Sequence, residues 1–141
     1  MAITDKQGLT LIELVVCTLI VGILASTAVP VSKNFVRHEK EKLLRERLRE
    51  VRLAIDRFYQ DKAAKEPGLS PKEYYPSGFD QLIEGRYLRK IPTDPITGLA
   101  KWHTRSSTDE PGAEISDGSN LFDLRSTSSE IGSDGIPYNQ W

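Results

Sequence analysis

The distribution of apolar and charged positions divides the chain into three parts. Residues 9–29 are mostly apolar and carry a single charged side chain, that of Glu13. As a helix, a segment of this length extends about 31 Å, which matches the thickness of the hydrocarbon core of a bilayer. The pattern predicts a transmembrane helix over 9–29, which we call the apolar segment.

Helical periodicity continues beyond the apolar segment. Apolar positions recur at spacings of four, three, four and three, which places them on one face of an α-helix. We therefore expect one helix from Leu9 to about Lys65, about 85 Å long, whose part over 30–65 is amphipathic. Pro30 removes a backbone donor and predicts a kink, and Pro67 predicts the end of the helix. The positions that define the apolar face are Leu44, Leu48, Val51, Ile55 and Phe58.

The third part, residues 66–141, is rich in Gly, Ser and Pro and predicts short elements joined by turns. A short helix is expected around Phe79–Glu84, with a turn at Gly85. Strands are expected over 99–104 and 120–125, with an uncertain one near 113–116. Because the apolar face of the long helix needs a packing surface, the predicted fold class is α+β. A long N-terminal helix would pack against a small antiparallel sheet in the domain over 66–141.

Charge changes this picture only in part. The formal net charge is −1, but residues 33–65 contain eleven Lys/Arg and six Asp/Glu. Interleaved signs and the lack of interleaved aromatic residues favour a solvated face over a nucleic-acid interface. By the positive-inside rule alone, the basic flank after the apolar segment would lie in the cytoplasm. That signal conflicts with the orientation adopted below.

A cleaved signal peptide is the main alternative to a retained helix. The small residues "ASTA" at 25–28 provide a weak cleavage site. The length of the apolar run, and the helical pattern that continues after Pro30, favour a retained membrane helix.

Candidate chemistry is sparse. Cys17 is the single cysteine of the sequence, so no intrachain disulfide is expected, and we interpret it as a small lipid- or helix-facing residue. His38 and His103 lack metal-ligand spacing and are expected to be structural. The sequence contains no nucleophile motif, phosphate loop or carboxylate pairing, and we expect no enzymatic activity.

The stretch "KQGLTLIELVV" resembles the processing motif of type IV pilins and of type II secretion pseudopilins. In that family a prepilin peptidase cuts after a glycine, here Gly8, and methylates the new amino terminus, here Leu9. The resemblance implies that 1–8 is a leader peptide. It matches Glu13 to the glutamate at the fifth mature position and Pro30 to a common proline. The departure is Leu9, where phenylalanine is usual, and it bears on cleavage efficiency.

A charge inside an apolar segment needs a reason. The resemblance implies that Glu13 meets the methylated amino terminus of a neighbouring subunit. Two opposite charges that are each costly alone in a low-dielectric bundle become tolerable when paired. Glu13 would then set the axial register between subunits. The alternative is a carboxylate that snorkels to lipid headgroups, because it lies only a turn from the helix start.

Two further passages resemble the major, G-type pseudopilins. The first is a "leu-X-X-X-X-tyr-leu…pro-X-asp-pro" passage. The second is the terminal "SSEIGSDGIPYNQW", which is similar to that family's terminal loop. The residues of the first passage are Leu82, Tyr87, Leu88, Pro92, Asp94 and Pro95.

The terminal loop of the major pseudopilins binds calcium, and Asp134 matches one of its aspartates. The acidic residues that usually follow are replaced by "IPYNQW", and oxygens of Asp123, Ser126 and Ser133 together with backbone carbonyls could complete a Ca²⁺ site. The alternative, which we favour, is a tight turn at Asp134-Gly135 with Trp141 packing the tail onto the domain.

The resemblance implies a pilin-like filament subunit. Its partners would be further copies of itself, minor pseudopilins, the prepilin peptidase and an inner-membrane assembly platform. It would lie in the bacterial inner membrane as a single-pass protein with a periplasmic C-terminal domain, and then in a periplasmic pseudopilus that supports protein export. Alternatives are a type IV pilin in a surface pilus for adhesion, motility or DNA uptake, a secreted soluble binding module, and a monomeric membrane-anchored receptor.

Overall fold

The computed structural model describes residues 8–113 and 115–141, without the side chains of 27–31. Two helices, α1 and α2, and two strands, β1 and β2, are joined by loops and two short 3₁₀ helices. Contacts divide the chain into two units, Met1–Arg37 and His38–Trp141, which we describe separately. The elements are α1 Leu11–Lys65, a 3₁₀ turn Pro71–Tyr74, α2 Phe79–Glu84, β1 Trp102–Arg105, β2 Asp123–Ser126 and a 3₁₀ turn Tyr138–Gln140.

The bounds of α1 follow from its flanking residues. At its start, the Thr10 hydroxyl oxygen accepts the backbone N–H of Glu13 at 3.3 Å, which is an N-cap contact. At its end, Pro67 disfavours helical conformation at the residue before it, and α1 stops at Lys65. The predicted long helix is confirmed, with a start two residues after Leu9.

Several sequence-based predictions concern residues or side chains that the structure does not describe. The assignment of α1 includes position 30, but the Pro30 side chain is not described, so the kink stays a prediction. Positions 1–7 of the predicted leader also lie outside the described residues. Within the part of the chain that the structure describes, no helix is both long and apolar enough to cross a membrane. The membrane span over 9–29 stays a prediction.

The sheet consists of β1 and β2, which pair antiparallel with Trp102 opposite Ser126 and Arg105 opposite Asp123. Both strands begin three residues later than predicted. Before β1, the chain turns tightly, because the Asp94 amide donates to the Leu99 carbonyl at 2.9 Å. The uncertain strand at 113–116 is wrong, since its described residues are outside the sheet.

One hydrophobic core joins these elements in the His38–Trp141 unit. Four of the five positions predicted for the apolar face of α1 are buried, and Phe58 is partly buried. Burying a leucine-sized side chain stabilises a fold by about 1.5–3 kcal/mol, so this face secures the domain to the helix. The α+β fold class is thereby confirmed in its coarse form. The core comprises Leu44, Leu48, Val51, Ala54, Ile55, Leu82, Leu88, Trp102, Leu121, Leu124 and Tyr138.

Candidate assembly site

The residues of the predicted processing site precede α1. Gly8 and Leu9 are exposed and lie outside regular structure, and Leu9 retains 69% of its accessible surface. A side chain built on Gly8 would have no heavy atom within 4 Å among its described surroundings. A peptidase would meet the bond between them in an irregular, accessible stretch, as cleavage requires.

Glu13 lies in the first turn of α1, where the positive end of the helix dipole favours a carboxylate. Its backbone N–H is capped by Thr10, but its carboxylate makes no hydrogen bond or ion pair with any residue that the structure describes. This placement leaves the only charge of the apolar segment without a partner inside the described chain.

The apolar segment exposes large hydrophobic side chains on all sides of α1. Between Leu11 and Leu24 their exposed fractions range from 47% at Val16 to 82% at Leu11. A helix that is hydrophobic all round is normally buried in a membrane or in a larger assembly. These side chains are Leu11, Ile12, Leu14, Val15, Val16, Leu19, Ile20, Val21, Ile23 and Leu24.

Two polar side chains within the apolar segment, Thr18 and Ser26, satisfy their hydroxyl donors locally. The Thr18 hydroxyl lies 3.0 Å from the Leu14 carbonyl oxygen and 2.9 Å from that of Val15. The Ser26 hydroxyl donates to the Ile23 carbonyl at 2.8 Å. Hydroxyl donors satisfied in this way do not need water, so the segment tolerates apolar surroundings. Cys17 is exposed on the same helix and forms no disulfide.

Comparison with known proteins supports the interpretation of the N-terminal region as a pilin-like processing signal. Residues 3–29 match the family described as the prokaryotic N-terminal methylation motif. The match supports a pilin-like class of protein that carries a prepilin signal, with processing by a prepilin peptidase and polymerisation with pilin-like subunits. Neither a search of curated proteins nor a search of solved structures found a match.

A buried carboxylate anchors the C-terminal loop to α1. Glu41 is only 2% exposed, and it accepts three hydrogen bonds from residues near the end of the sequence. The donors are the Ser133 amide at 2.8 Å, the Ser133 hydroxyl at 2.5 Å and the Tyr138 hydroxyl at 2.9 Å. We call this cluster of Glu41, Ser133 and Tyr138 the carboxylate clamp. Sequence reasoning counted Glu41 among solvated charges and missed this role.

The histidines have separate surroundings. His38 is largely exposed, and its Nδ1 lies 3.7 Å from a Glu41 carboxylate oxygen, so its protonated form would add an ion pair to the clamp. His103 lies in β1, opposite Arg125. The structure does not bring the two histidines into a shared site.

Arginines of α1 add further contacts to the same loop. The Arg45 guanidinium lies 4.4 Å from the centre of the Trp141 ring, within cation–π range. Arg52 donates to the Asp123 carboxylate at 2.7 Å and to the Trp141 carbonyl at 3.2 Å. These contacts confirm the prediction that Trp141 packs the end of the chain onto the domain.

Asp134 belongs to a turn. Its carboxylate accepts the Ile136 amide at 3.0 Å, and Gly135 adopts a φ of 80°, which is favourable for glycine. This geometry confirms the tight turn proposed as the alternative to a calcium ligand.

The Ca²⁺ site suggested for Asp134 stays a prediction. The other candidate oxygens have different partners, because Asp123 pairs with Arg52, the Ser126 hydroxyl donates to Asp94 at 2.6 Å, and Ser133 bonds to Glu41. In the described part of the chain, no group of three or more His, Cys, Asp or Glu side chains lies together as a candidate metal site.

Gly132→Ala should loosen the C-terminal loop. An added Cβ would lie 2.6 Å from the Trp141 ring and 3.0 Å from the Ile136 carbonyl oxygen, and the backbone oxygen cannot move aside cheaply. We expect faster proteolysis within 130–141 and altered Trp141 fluorescence. The control is Gly78→Ala, where φ is 176° and no atom lies within 4 Å. Equal proteolysis of the two variants would contradict the expectation.

The passage that resembles G-type pseudopilins has a structural role here. Leu82 and Leu88 lie in the core, and the Tyr87 hydroxyl donates to Asp61 on α1 at 2.6 Å. Asp94 is fully buried, where it accepts the Ser126 hydroxyl and the Ile96 amide. The passage thus docks α2 and the turn before β1 onto the rest of the domain.

A hydroxyl- and carboxylate-rich network shapes the loop between β1 and β2. The Asp109 carboxylate accepts the amides of Ser106 at 2.7 Å and Asp117 at 2.9 Å. The Asp117 carboxylate accepts the Thr108 hydroxyl at 2.5 Å and the Ser119 amide at 2.9 Å. These bonds lower the pKa of Asp109, and they lower the pKa of Asp117 from 3.8 to about 2.

The loop should therefore loosen only in strong acid. Because the folded pKa of Asp117 lies below its unfolded value, the contribution of its ionised form is complete above about pH 4 and is lost as pH falls towards 2. NMR titration of the Asp117 carboxyl carbon, with hydrogen exchange at the Ser119 amide, would check this. Asp117→Asn should remove the acid dependence of that exchange, and a titration midpoint near 4 would contradict the prediction.

Proposed function

We propose that this chain is a pseudopilin, a non-enzymatic filament subunit of a type II secretion-type system. It is cleaved after Gly8, N-methylated at Leu9 and polymerised into a periplasmic pseudopilus that supports protein export. Its membrane precursor lies in the inner membrane with the C-terminal domain in the periplasm.

The observation that carries this proposal is the apolar segment. Its described large hydrophobic side chains are exposed on every face, the hydroxyls of Thr18 and Ser26 donate within the helix, and its single carboxylate has no described partner. Such a helix needs an apolar environment that also provides one positive charge. The prepilin signal over 3–29 supports a fibre as that environment, because processing creates a new amino terminus beside the segment.

The amino terminus that cleavage creates at Leu9 explains why the apolar segment carries a carboxylate at Glu13. After cleavage, a methylated ammonium at Leu9 would stand near the positive end of the α1 dipole, which is unfavourable for a cation. The carboxylate of Glu13 from a neighbouring subunit would offset both the ammonium and the positive end of the helix dipole. The pairing forms only at one axial offset, so it selects the register of the growing fibre.

The choice of a pseudopilus over a surface pilus rests on the rest of the chain. The passage ending in Asp94-Pro95 resembles that of G-type pseudopilins and lies at the centre of the domain, where Asp94 is fully buried. The single Cys17 leaves the C-terminal loop without a disulfide, and the carboxylate clamp fastens it instead. The expected partners are further copies of this chain, minor pseudopilins, the prepilin peptidase and an assembly platform.

Intact mass and N-terminal sequencing of the protein from membranes test the proposal. We expect a terminus at methylated Leu9. A terminus near Ala28 would indicate a secreted soluble domain, and an uncut Met1 would indicate an ordinary anchored protein, and either result would overturn the filament function. Loss of export without loss of surface fibres in a deletion strain would favour the pseudopilus over a type IV pilus, and the reverse would favour the pilus.

A further inference from the structure

A groove with an apolar floor and a cationic rim lies between α1 and the C-terminal loop. Its floor includes Leu53 and Ile136, which are 43% and 46% exposed, and the ring of Trp141. Arg45, Arg49 and Arg52 stand on its α1 side, and Asp134 has the only acidic side chain among the lining residues that the structure describes. We call this the arginine groove.

The cations of the arginine groove are not equally available. Arg52 is bonded to Asp123 and to two carbonyl oxygens, and Arg45 stacks on Trp141. Arg49 is exposed and makes no hydrogen bond or ion pair with another residue that the structure describes. An occupant of the groove must therefore offer apolar surface for the floor and a carboxylate for Arg49.

The same chain carries a complementary surface in the loop between β1 and β2. Ile115 is 87% exposed, the largest exposed fraction among the large hydrophobic residues described. Its neighbours Asp109, Glu110 and Asp117 are acidic, and we call these four residues the acidic loop. Hydrogen bonds of Asp109 and Asp117 hold the loop in shape, so little ordering is required when it binds. The exposure of Ile115 means that the loop does not fill the groove of its own chain.

Net charge agrees with this pairing. Residues 33–65 carry eleven basic and six acidic side chains, whereas residues 66–141 carry seven basic and twelve acidic ones. The first stretch is thus positive by five charges and the second negative by five. Opposite potentials of this kind orient two copies of one chain with unlike surfaces together.

We propose that the acidic loop of a second copy docks into the arginine groove, with Ile115 on the apolar floor and Glu110 near Arg49. This deepens the proposed filament function and rests on it. A contact between two different surfaces of the same chain is heterologous, and repetition of such a contact builds an open helical fibre unless the rotation closes into a ring.

Site-specific crosslinking tests the contact in the full chain, produced in a strain with a prepilin peptidase and assembly platform. In a Cys17→Ala background, Arg49→Cys with Ile115→Cys should yield a ladder of dimers, trimers and larger species with a short bis-maleimide. Either cysteine alone should give no ladder. The matched control is Lys65→Cys with Ile115→Cys, since Lys65 is exposed on α1 outside the groove.

Charge exchange provides a second readout. Arg49→Glu and Glu110→Arg should each reduce fibre yield severalfold, and the double variant should recover most of the loss. Neither residue contributes to the core or the clamp, so a folding defect is not expected. If the loss of fibre yield in the double variant equals the combined losses of the two single variants, the pairing is overturned.

The outcomes separate this contact from the filament function. Fibres that form without the Arg49–Ile115 ladder overturn the docking and leave the filament function in place. A ladder without fibres supports the docking and contradicts the filament. If the Cys17→Ala chain forms no fibres and the double-cysteine variant gives no ladder, both proposals are overturned. An anionic lipid that co-purifies with the chain and is removed by Arg49→Glu, with no ladder, would assign the groove to another occupant and overturn the docking.

Discussion

Replacing Glu13 by alanine or glutamine should abolish fibre formation while cleavage after Gly8 continues. Glu13 is the single charge of the apolar segment and lacks a described partner, so its carboxylate is available to the methylated terminus of a neighbour. Removing it leaves that ammonium buried without a counter-charge. Breaking a buried ion pair in this way costs about 3–5 kcal/mol.

A cost of this size lowers the association constant of each subunit contact by roughly a hundredfold to several thousandfold. Electron microscopy of sheared fibres would measure the loss, and intact mass would show whether processing continues. Glutamine tests charge alone, because it nearly preserves the size of glutamate.

The matched control for this experiment is Glu46→Gln. Glu46 is exposed on the outer part of α1, and its side chain makes no hydrogen bond or ion pair with another described residue. Normal fibres in the Glu13 variants would refute the register role. A loss of processing in those variants would place the function of Glu13 at the peptidase step instead.

Glu41→Gln should destabilise the His38–Trp141 unit by about 3 kcal/mol. The carboxylate of Glu41 accepts three hydrogen bonds, and each bond to a charged group contributes about 1.5–3 kcal/mol. A glutamine oxygen in the place of Oε1 keeps the Ser133 amide and Tyr138 hydroxyl as donors but without the negative charge, and its NH₂ group faces the Ser133 hydroxyl in the place of the second acceptor oxygen. The C-terminal loop should detach from α1 before the core unfolds.

Thermal unfolding of the full chain in detergent would measure this effect as a midpoint lowered by roughly 10–20 °C. Glu46→Gln is again the control, since it changes the same side chain at an exposed position of α1. Tyr138→Phe removes one of the three bonds and should give an intermediate loss. Equal stability of the Glu41 and Glu46 variants would show that the clamp does not support the domain.

Local patterns predicted the helices well. The apolar spacing from Leu44 to Ile55 reports a buried face directly, and it predicted four core residues. The helix Phe79–Glu84 was predicted with its observed bounds, because apolar residues precede a clear stop at Gly85. Periodicity and breakers of this kind act between near neighbours, which a sequence displays.

Long-range contacts were harder to predict. The strands were placed three residues early, because the turn from Asp94 to Leu99 depends on a hydrogen bond that the pattern does not display. The clamp joins Glu41 to Ser133 across 92 positions. One signal was available, since Glu41 lies three residues before Leu44 on the apolar face of α1. A carboxylate in line with core positions indicates a buried partner.

For the candidate assembly site, too, the sequence predicts the local residues but not the long-range contact. Gly8, Leu9 and Glu13 were identified from a resemblance that spans a short motif, and the structure places them together at the start of α1. Their proposed partner is a neighbouring copy, so neither the spacing nor the fold of one copy can reveal the proposed fibre contact. The Asp134 turn was predictable because Asp-Gly chemistry is local.

The hydroxyl contacts of Thr18 and Ser26 affect how the segment is transferred from one environment to another. Both hydroxyls donate within their own helix, so exchanging lipid for neighbouring helices breaks none of these bonds. In the proposed cycle, extraction from the bilayer replaces one apolar contact surface by another of similar character. The work of an assembly motor would then go mainly into moving the bulky polar domain and the Glu13 charge. For these two hydroxyls, the proposed transfer from lipid to fibre, and the reverse transfer, require no exchange of hydrogen-bond partners.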